Sequence, residues 1–496
     1  MELKEILLGL EGLKVKGTLD LEIKGIENNS KNVKEGFLFI AIKGFSTDGH
    51  QYVENAIENG AIAVMIEEGC DLKSLKVPAD VTIIMAPSTR MALSITASNF
   101  YGNPSKKFKL IGVTGTKGKT TTTFMIKEIL QRAGKKVGLI GTIATYINDK
   151  KIKDSDRTTP EGLELQQTFA QMLKDGVDVV VMEVSSQSLK LHRVDGCNFD
   201  IVIFTNFSED HISQNEHTDM QDYFQSKLKL FHMCWVGIVN TDDLYGAKIP
   251  NMFPDSDITT YGIDNYAKLL AKDITITNSY VDFKVKITDK NERVKTGIPG
   301  RFSVYNSLAA ICVAQKFGIS PEIIKEALLE VRVPGRSEMV DNKLELPIMI
   351  DYAHSPESLQ NILQAVKSYT RGKVISVFGC GGDRDNSKRA VMGEISGRIA
   401  DFTFITSDNP RTEEPEKIIE QIEEGMKKTK GKYKVVVDRK EAIKEAIQMA
   451  TKRDIIVLAG KGHELYQEIN GVKNDFDERV IVRELIDEIE KNKWIF

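Results

Sequence analysis

Residues 108–134 constrain the fold more than any other stretch of this chain. From Phe108 the sequence reads Phe-Lys-Leu-Ile-Gly-Val-Thr-Gly-Thr-Lys-Gly-Lys-Thr-Thr-Thr-Thr, ending at Thr123. An apolar run enters a loop holding Gly115 and Gly118, and Lys119-Thr120 open a helical pattern that reaches about Gly134. Glycine lets backbone N–H groups approach phosphate oxygens, and a helix start favours negative charge. Lys119 would reach the terminal phosphates of a nucleotide and Thr120 would offer its hydroxyl to Mg²⁺. The spacing is a close variant of the Walker loop, because Val113 stands where the first glycine belongs and Gly112 lies one step early. ATP is the expected ligand, and a glycine turn that binds nothing is the bland alternative.

The surrounding texture agrees with an α/β protein. Between 108 and about 335, apolar runs alternate with helical patterns, as in parallel βαβ units. Strands are predicted at Leu110–Val113, Val137–Ile140, Val177–Val184 and Phe199–Thr205, and alternation over Ile274–Val294 predicts exposed antiparallel strands. The length of 496 residues suits about three domains at ~100–200 residues each. The boundaries fall at Tyr101-Gly-Asn-Pro-Ser105 and Val333-Pro-Gly-Arg336, giving domains 1–105, 106–334 and 335–496. Beyond the second boundary four apolar runs each break into a polar loop, beginning at Asp351, Gly379, Thr406 and Ala459. Ligands of open parallel sheets bind beyond the carboxyl ends of the strands, so these loops should share one crevice. The charge-rich stretch Glu414–Lys432 reads as a solvated amphipathic helix.

Charge and cysteine usage exclude several classes. With 67 basic and 71 acidic residues the net charge is −4, which argues against a general nucleic-acid binder. Five scattered cysteines form no CxxC pair, the pattern of reduced thiols. No secretion signal opens the chain and no apolar run approaches the ~20 residues of a membrane span, so a cytoplasmic location without membrane insertion is expected.

A nucleotide loop of this kind needs a metal held by oxygen ligands. Glu183 closes the apolar run Val179–Met182, and His211 follows the next strand. Both are expected at the ends of adjacent strands near the phosphate loop. Lys227, in Tyr223–Phe231, reads by pattern alone as a solvated lysine on an amphipathic helix.

Assembled in order, the motifs resemble the Mur ligases of peptidoglycan synthesis over essentially the whole chain. They are Thr114-Gly-Thr-Lys-Gly-Lys-Thr120, Thr158-Thr-Pro160, Met182-Glu-Val-Ser-Ser186, His192-Arg193, Asp210-His211, Tyr305-Asn306, Pro334-Gly-Arg336, Asp351-Tyr-Ala-His354, Gly382-Asp-Arg-Asp385, Asp408-Asn-Pro-Arg411 and Gly460-Lys-Gly-His-Glu464. The resemblance implies an α/β fold of three domains: an N-terminal UDP-binding domain, a central P-loop ATPase-like parallel sheet and a C-terminal Rossmann-like domain. It implies a monomeric ATP-dependent ligase acting on UDP-MurNAc-L-Ala-D-Glu, whose D-glutamate carboxylate is phosphorylated and then attacked by the amine of an incoming amino acid. ATP would lie on Thr114, Gly115, Thr116, Lys117, Gly118, Lys119 and Thr120, with Asn306 at the adenine and Arg336 nearby. The nucleotide sugar and its peptide would meet Ser30, Ser46, Thr47, Thr158, Thr159, Ser185 and Arg193. The family's Asp-Ser-Arg motif stands here as Asn29-Ser30-Lys31, which keeps only the serine. Mg²⁺ would be held by Thr120, Glu183, His211 and a Lys227 carbamylated by CO₂, with Lys119, Lys227 and His211 as the catalytic set.

Asp408-Asn-Pro-Arg411 is the motif of members that add meso-diaminopimelate. Its arginine suits the second carboxylate that lysine lacks. By resemblance Arg384, Asp408, Asn409, Pro410, Arg411, Gly460 and Glu464 form that pocket. Lysine addition, a folylpolyglutamate synthetase-like ligase and a non-catalytic ATP-binding protein are the competing readings.

Overall fold

The computed structural model describes residues 1–45, 47–70, 76–210, 212, 216–277 and 279–493. The chain divides into two compact units, Met1–Leu270 with Leu308–Ile324, and Ala271–Ser307 with Lys325–Phe496.

The first unit holds two sheets. In the five-stranded one the order is Lys14–Lys16, Thr82–Ala86, Ala61–Glu67, Phe37–Ile40, Gly25–Glu27, parallel except at Lys14–Lys16. Strand periodicity sorts its apolar residues to two faces. Leu38 and Ile40 pack with Leu3, Ile6 and Leu93, while Phe39 packs with Val53 and Val64. The nine-stranded sheet runs Leu269–Leu270, Asp257–Gly262, Val236–Asn240, Ile201–Phe204, Lys109–Thr114, Val179–Glu183, Val137–Ile140, Ala144–Ile147, Lys150–Asp154. Its first seven strands are parallel and its last two antiparallel. Val180, Val202 and Leu110 are fully buried, as near-continuous apolar runs in a doubly covered parallel sheet require.

One expectation about this sheet is corrected. The strands ending at Glu183 and Phe204 are not adjacent, because Lys109–Thr114 lies between them and pairs with both. Connections in doubly wound sheets can skip a strand, and apolar runs carry no record of strand order.

The second unit contains the expected antiparallel strands Lys272–Ile276, Val281–Ile287 and Lys290–Thr296. Its six-stranded sheet runs Glu338–Met339, Ile348–Asp351, Ile455–Ala459, Val374–Phe378, Phe402–Ile405, Tyr433–Val435, parallel except for the first. All four predicted loops leave the carboxyl ends of its strands. The charge-rich stretch forms the helix Pro415–Met426, whose Ile418, Ile419 and Ile422 enter the core while its charges face out. No helix among the described residues is long and apolar enough to cross a membrane.

Candidate active site

In the first unit the strand Lys109–Thr114 runs into Gly115 at φ 142° and Gly118 at φ 84°, and the helix Lys119–Arg132 begins at once. Only glycine holds such angles at little cost. A Cβ on Gly115 would lie 1.9 Å from Thr205 Oγ1. Lys119 Nζ donates to the carbonyls of Gly115 at 2.9 Å and Thr116 at 3.0 Å. Lys227 Nζ donates to the same Gly115 carbonyl at 2.9 Å. Lys117 pairs with Asp210 at 2.9 Å, and its N–H donates to Asn206 Oδ1 at 2.9 Å.

The solvated lysine expected at 227 is instead buried, with 1% of its surface exposed. The helix Met220–Leu228 turns Tyr223, Phe224 and Leu228 inward, and Lys227 falls four residues after Tyr223 on the same side. Its ammonium lies 4.4 Å from the centre of the Tyr223 ring. Burial first, and then the charge of Lys119, hold its pKa well below the ordinary lysine value. This lysine therefore presents a neutral, nucleophilic nitrogen far more readily than a surface one.

Glu183 ends its strand with 1% exposure. Its carboxylate accepts the Thr142 N–H at 2.8 Å, the Thr142 hydroxyl at 3.0 Å and the Thr120 hydroxyl at 3.0 Å. A Cβ on Gly141 would sit 2.3 Å from Glu183 Oε1. Thr120 and Glu183 thus meet and present oxygen donors of the type Mg²⁺ takes. Among the described residues no three His, Cys, Asp or Glu side chains form a metal-sized group. His211 lies outside the described residues.

The residues expected at the peptide end gather beside Glu183. Thr158 and Thr142 share a hydrogen bond between hydroxyls at 3.1 Å. Thr159 donates to the Glu183 carbonyl at 2.9 Å and accepts the Ser185 N–H at 3.1 Å. Arg193 donates to the Thr159 carbonyl at 3.2 Å and pairs with Glu161 at 2.9 Å. In the five-stranded sheet's loops, Ser30 is buried on the short turn Ser30–Asn32 and its carbonyl accepts from Asn59 Nδ2 at 2.9 Å. Thr47 is exposed, its carbonyl accepting the Gly44 N–H at 2.8 Å. Ser46 lies outside the described residues.

In the second unit Asn306 is buried on the helix Arg301–Lys316. The Arg336 guanidinium lies over the Tyr352 ring at 4.6 Å. Burial raises the Asp351 carboxyl pKa, with Arg336 opposing. Asp408, Asn409, Gly460 and Glu464 come together. Asn409 Nδ2 donates to Glu464 Oε2 at 2.7 Å, and a Cβ on Gly460, at φ 116°, would lie 2.6 Å from Asp408 Oδ2. Pro410 is buried beside them. The two arginines behave differently. Arg411 donates to the Gly382 carbonyl at 2.6 Å and to Glu468 at 3.1 Å, whereas Arg384 is exposed.

Three side chains here were not singled out from sequence. Thr142 stands two residues past the strand Val137–Ile140, and that carboxyl-end position was a usable signal. Lys461 and Arg439 are buried cations, and Arg439 donates to Glu478 at 2.8 Å and to the Ala459 carbonyl at 2.9 Å. Nothing local marks either as buried.

Comparison with known proteins covers most of the chain. Residues 113–314 match the family model described as Mur ligase middle domain, 335–462 the Mur ligase glutamate ligase domain, and 22–101 the Mur ligase family catalytic domain. The UDP-N-acetylmuramoyl-L-alanyl-D-glutamate--2,6-diaminopimelate ligase of Caldanaerobacter subterraneus subsp. tengcongensis is 48% identical over 492 residues, covering 99% of this chain and 100% of the relative. The protein of the same name from Clostridioides difficile is 45% identical, covering 98% and 99%. A solved structure of a ligase of that name superposes with a TM-score of 0.72 at 28% identity, covering 99% of each chain. The MurF ligase from Thermotoga maritima in complex with ADP shares the fold at a TM-score of 0.63 and 20% identity.

Proposed function

Because the chain belongs to the Mur ligase family, we propose that it is an ATP-dependent ligase adding meso-diaminopimelate to UDP-N-acetylmuramoyl-L-alanyl-D-glutamate in peptidoglycan precursor synthesis. One observation carries the mechanistic reading. The side-chain nitrogens of Lys119 and Lys227 converge on the Gly115 carbonyl within a loop that also brings the Thr120 hydroxyl to Glu183.

A carboxylate is a poor electrophile, so the terminal phosphate of ATP is transferred to the D-glutamate carboxylate to make a leaving group. Two anions meet in that step. Lys119 releases the loop carbonyls and turns to the phosphates, where its charge offsets their repulsion. The amine of diaminopimelate then attacks the acyl carbon, a tetrahedral intermediate forms, and inorganic phosphate leaves as the amide is made. Thr158, Thr159, Ser185 and Arg193 hold the peptide end, and Ser30, Ser46 and Thr47 the nucleotide end. Asn306 meets the adenine, and Arg336 the nucleotide.

Mg²⁺, when bound, neutralises charge between phosphates and carboxylate. Thr120, Glu183, His211 and a carbamylated Lys227 would hold it. The lowered basicity of Lys227 supports the modification: its neutral amine adds to CO₂, one proton leaves the nitrogen, and a carbamate anion takes the place of the amine. Intact mass spectrometry and rescue of Lys227→Ala by small acids test this; full activity without rescue removes it.

Asp408, Asn409, Pro410, Arg411, Gly460, Glu464 and Arg384 would receive the amino acid, arginines taking carboxylate and Glu464 the distal ammonium. Lysine would place its ammonium against an arginine, an unfavourable pairing. The domains divide at 105/106 and 334/335, and the protein acts as a cytoplasmic monomer. Phosphate release with the UDP-dipeptide and either diaminopimelate or L-lysine tests the reading. Turnover with lysine alone selects the lysine-adding alternative, and turnover with neither rejects both.

A further inference from the structure

The Lys461 side chain has no surface exposed. Its ammonium donates to Asn409 Oδ1 at 3.1 Å and to Glu464 Oε2 at 3.3 Å, and it faces the rings of Tyr466 at 5.7 Å and Phe476 at 5.9 Å. The Asn409 carbonyl also accepts the Glu468 N–H at 2.9 Å, while its amide nitrogen donates to Glu464 at 2.7 Å. Burying an ammonium is costly unless its surroundings supply oxygen partners and opposite charge. Here both partners belong to the loops that the proposed function assigns to the incoming amino acid.

The geometry points to Lys461 as a positioning residue for that pocket: its buried cation fixes the Asn409 amide in one orientation and keeps Glu464 an anion ready to receive the distal ammonium of diaminopimelate. The inference rests on the proposed substrate.

Flipping the Asn409 amide would aim its NH₂ at the Lys461 ammonium and the Glu468 N–H, and its carbonyl at a carboxylate. Without the Lys461 cation one of those three conflicts disappears, which lowers the cost of the flipped state. Lys461 also acts on the charge of Glu464. Burial is the largest influence raising its carboxyl pKa, the nearby Asp408 adds to it, and Lys461 opposes both. Among the described residues, the charged and titratable groups that act on Glu464 include Lys461, Asp408 and the Tyr352 phenol. Of these, only Lys461 favours the carboxylate. A protonated Glu464 offers an ammonium no charge.

The test uses the full chain in steady-state phosphate release, with diaminopimelate varied at saturating ATP and UDP-dipeptide over about pH 6 to 9. Lys461→Met is expected to raise the KM for diaminopimelate by about tenfold or more, the scale of one lost charged hydrogen bond. The KM for ATP should stay put. The acid limb, where the diaminopimelate KM climbs as pH falls, should move up by about one pH unit or more. Lys461→Arg keeps the charge and should show a smaller KM increase with little movement of the limb. In a Glu464→Gln background, Lys461→Met should move no limb at all.

A diaminopimelate KM within about twofold of wild type at every pH overturns the inference, since tenfold is its minimum claim. So do equal rises in the ATP and diaminopimelate KM values, which mark general damage. If Lys461→Met does not accumulate folded, Lys461→Gln, neutral but able to hydrogen-bond, is judged by the same readouts. Wild-type protein that never turns over diaminopimelate rejects the substrate reading and this inference with it. Wild-type turnover with an unshifted variant rejects Lys461 alone.

Discussion

Thr142→Val removes one hydroxyl from the Glu183 carboxylate at nearly constant side-chain shape. The Thr142 N–H keeps its 2.8 Å bond to Oε1, and Thr120 keeps its 3.0 Å bond to Oε2. The losses are the 3.0 Å bond from Thr142 Oγ1 to Oε2 and the 3.1 Å contact with the Thr158 hydroxyl. Glu183 is 1% exposed, so bulk water cannot substitute for the missing donor. A hydrogen bond to a charged acceptor contributes about 1.5–3 kcal/mol. At about 1.4 kcal/mol per decade, full expression in the transition state lowers kcat/KM by roughly 10- to 100-fold. The assay is phosphate release across a Mg²⁺ titration, with thermal unfolding recorded in parallel. The defect should be largest at limiting Mg²⁺, and Thr142→Ser, which restores the hydroxyl, should recover most of it. Activity within about twofold of wild type at every Mg²⁺ concentration would refute the reasoning, as this is less than about a third of the smallest expected loss on the logarithmic scale of barrier heights. Equal impairment of the valine and serine variants would refute it as well, because the hydroxyl would then be irrelevant.

Other perturbations follow from the same geometry. Gly115→Ala forces a Cβ to 1.9 Å from Thr205 Oγ1 at φ 142°, and loss of nucleotide binding by isothermal titration with retained far-UV circular dichroism is expected. Gly460→Ala puts a Cβ 2.6 Å from Asp408 Oδ2 and should raise the KM for diaminopimelate while leaving that for ATP unchanged; parallel changes in both would contradict it. The Arg389 guanidinium, hydrogen-bonded to Glu413, holds that carboxyl down to about 2. A depressed carboxyl stabilises the fold above its unfolded pKa of ~4.3, and the contribution fades as pH falls through the folded value. Arg389→Met should therefore be less stable than wild type at neutral pH, with the gap narrowing toward pH ~2 in denaturant titrations; a gap independent of pH counts against the pairing.

Much of the fold was legible because local backbone geometry writes its own period into the sequence. The strands at Lys109–Thr114 and Val137–Ile140, the helix from Lys119, and the antiparallel patch near Val281 all follow from apolar spacing and glycine placement. The meeting of Thr120 with Glu183 was also readable, since both stand at strand or loop ends on one edge of a parallel sheet. Arg384 and Arg411 were readable as residue types, but the partners of Arg411, the Gly382 carbonyl and Glu468, were not.

What the chain alone determined is therefore its α/β alternation, its phosphate loop and the set of chemically able groups at the loop ends. Tertiary structure decided which of those groups are dry and which touch. Lys227 looks like any surface lysine until Tyr223 and the Gly115 carbonyl close around it. Lys461 looks like a loop lysine until Asn409, 52 positions away, turns its carbonyl to it. Strand order, too, placed Lys109–Thr114 between two strands that sequence spacing made neighbours. The physical reason is that periodicity depends on a residue's immediate neighbours along the backbone. Desolvation and charge pairing depend on whatever distant segment packing brings within a few ångströms.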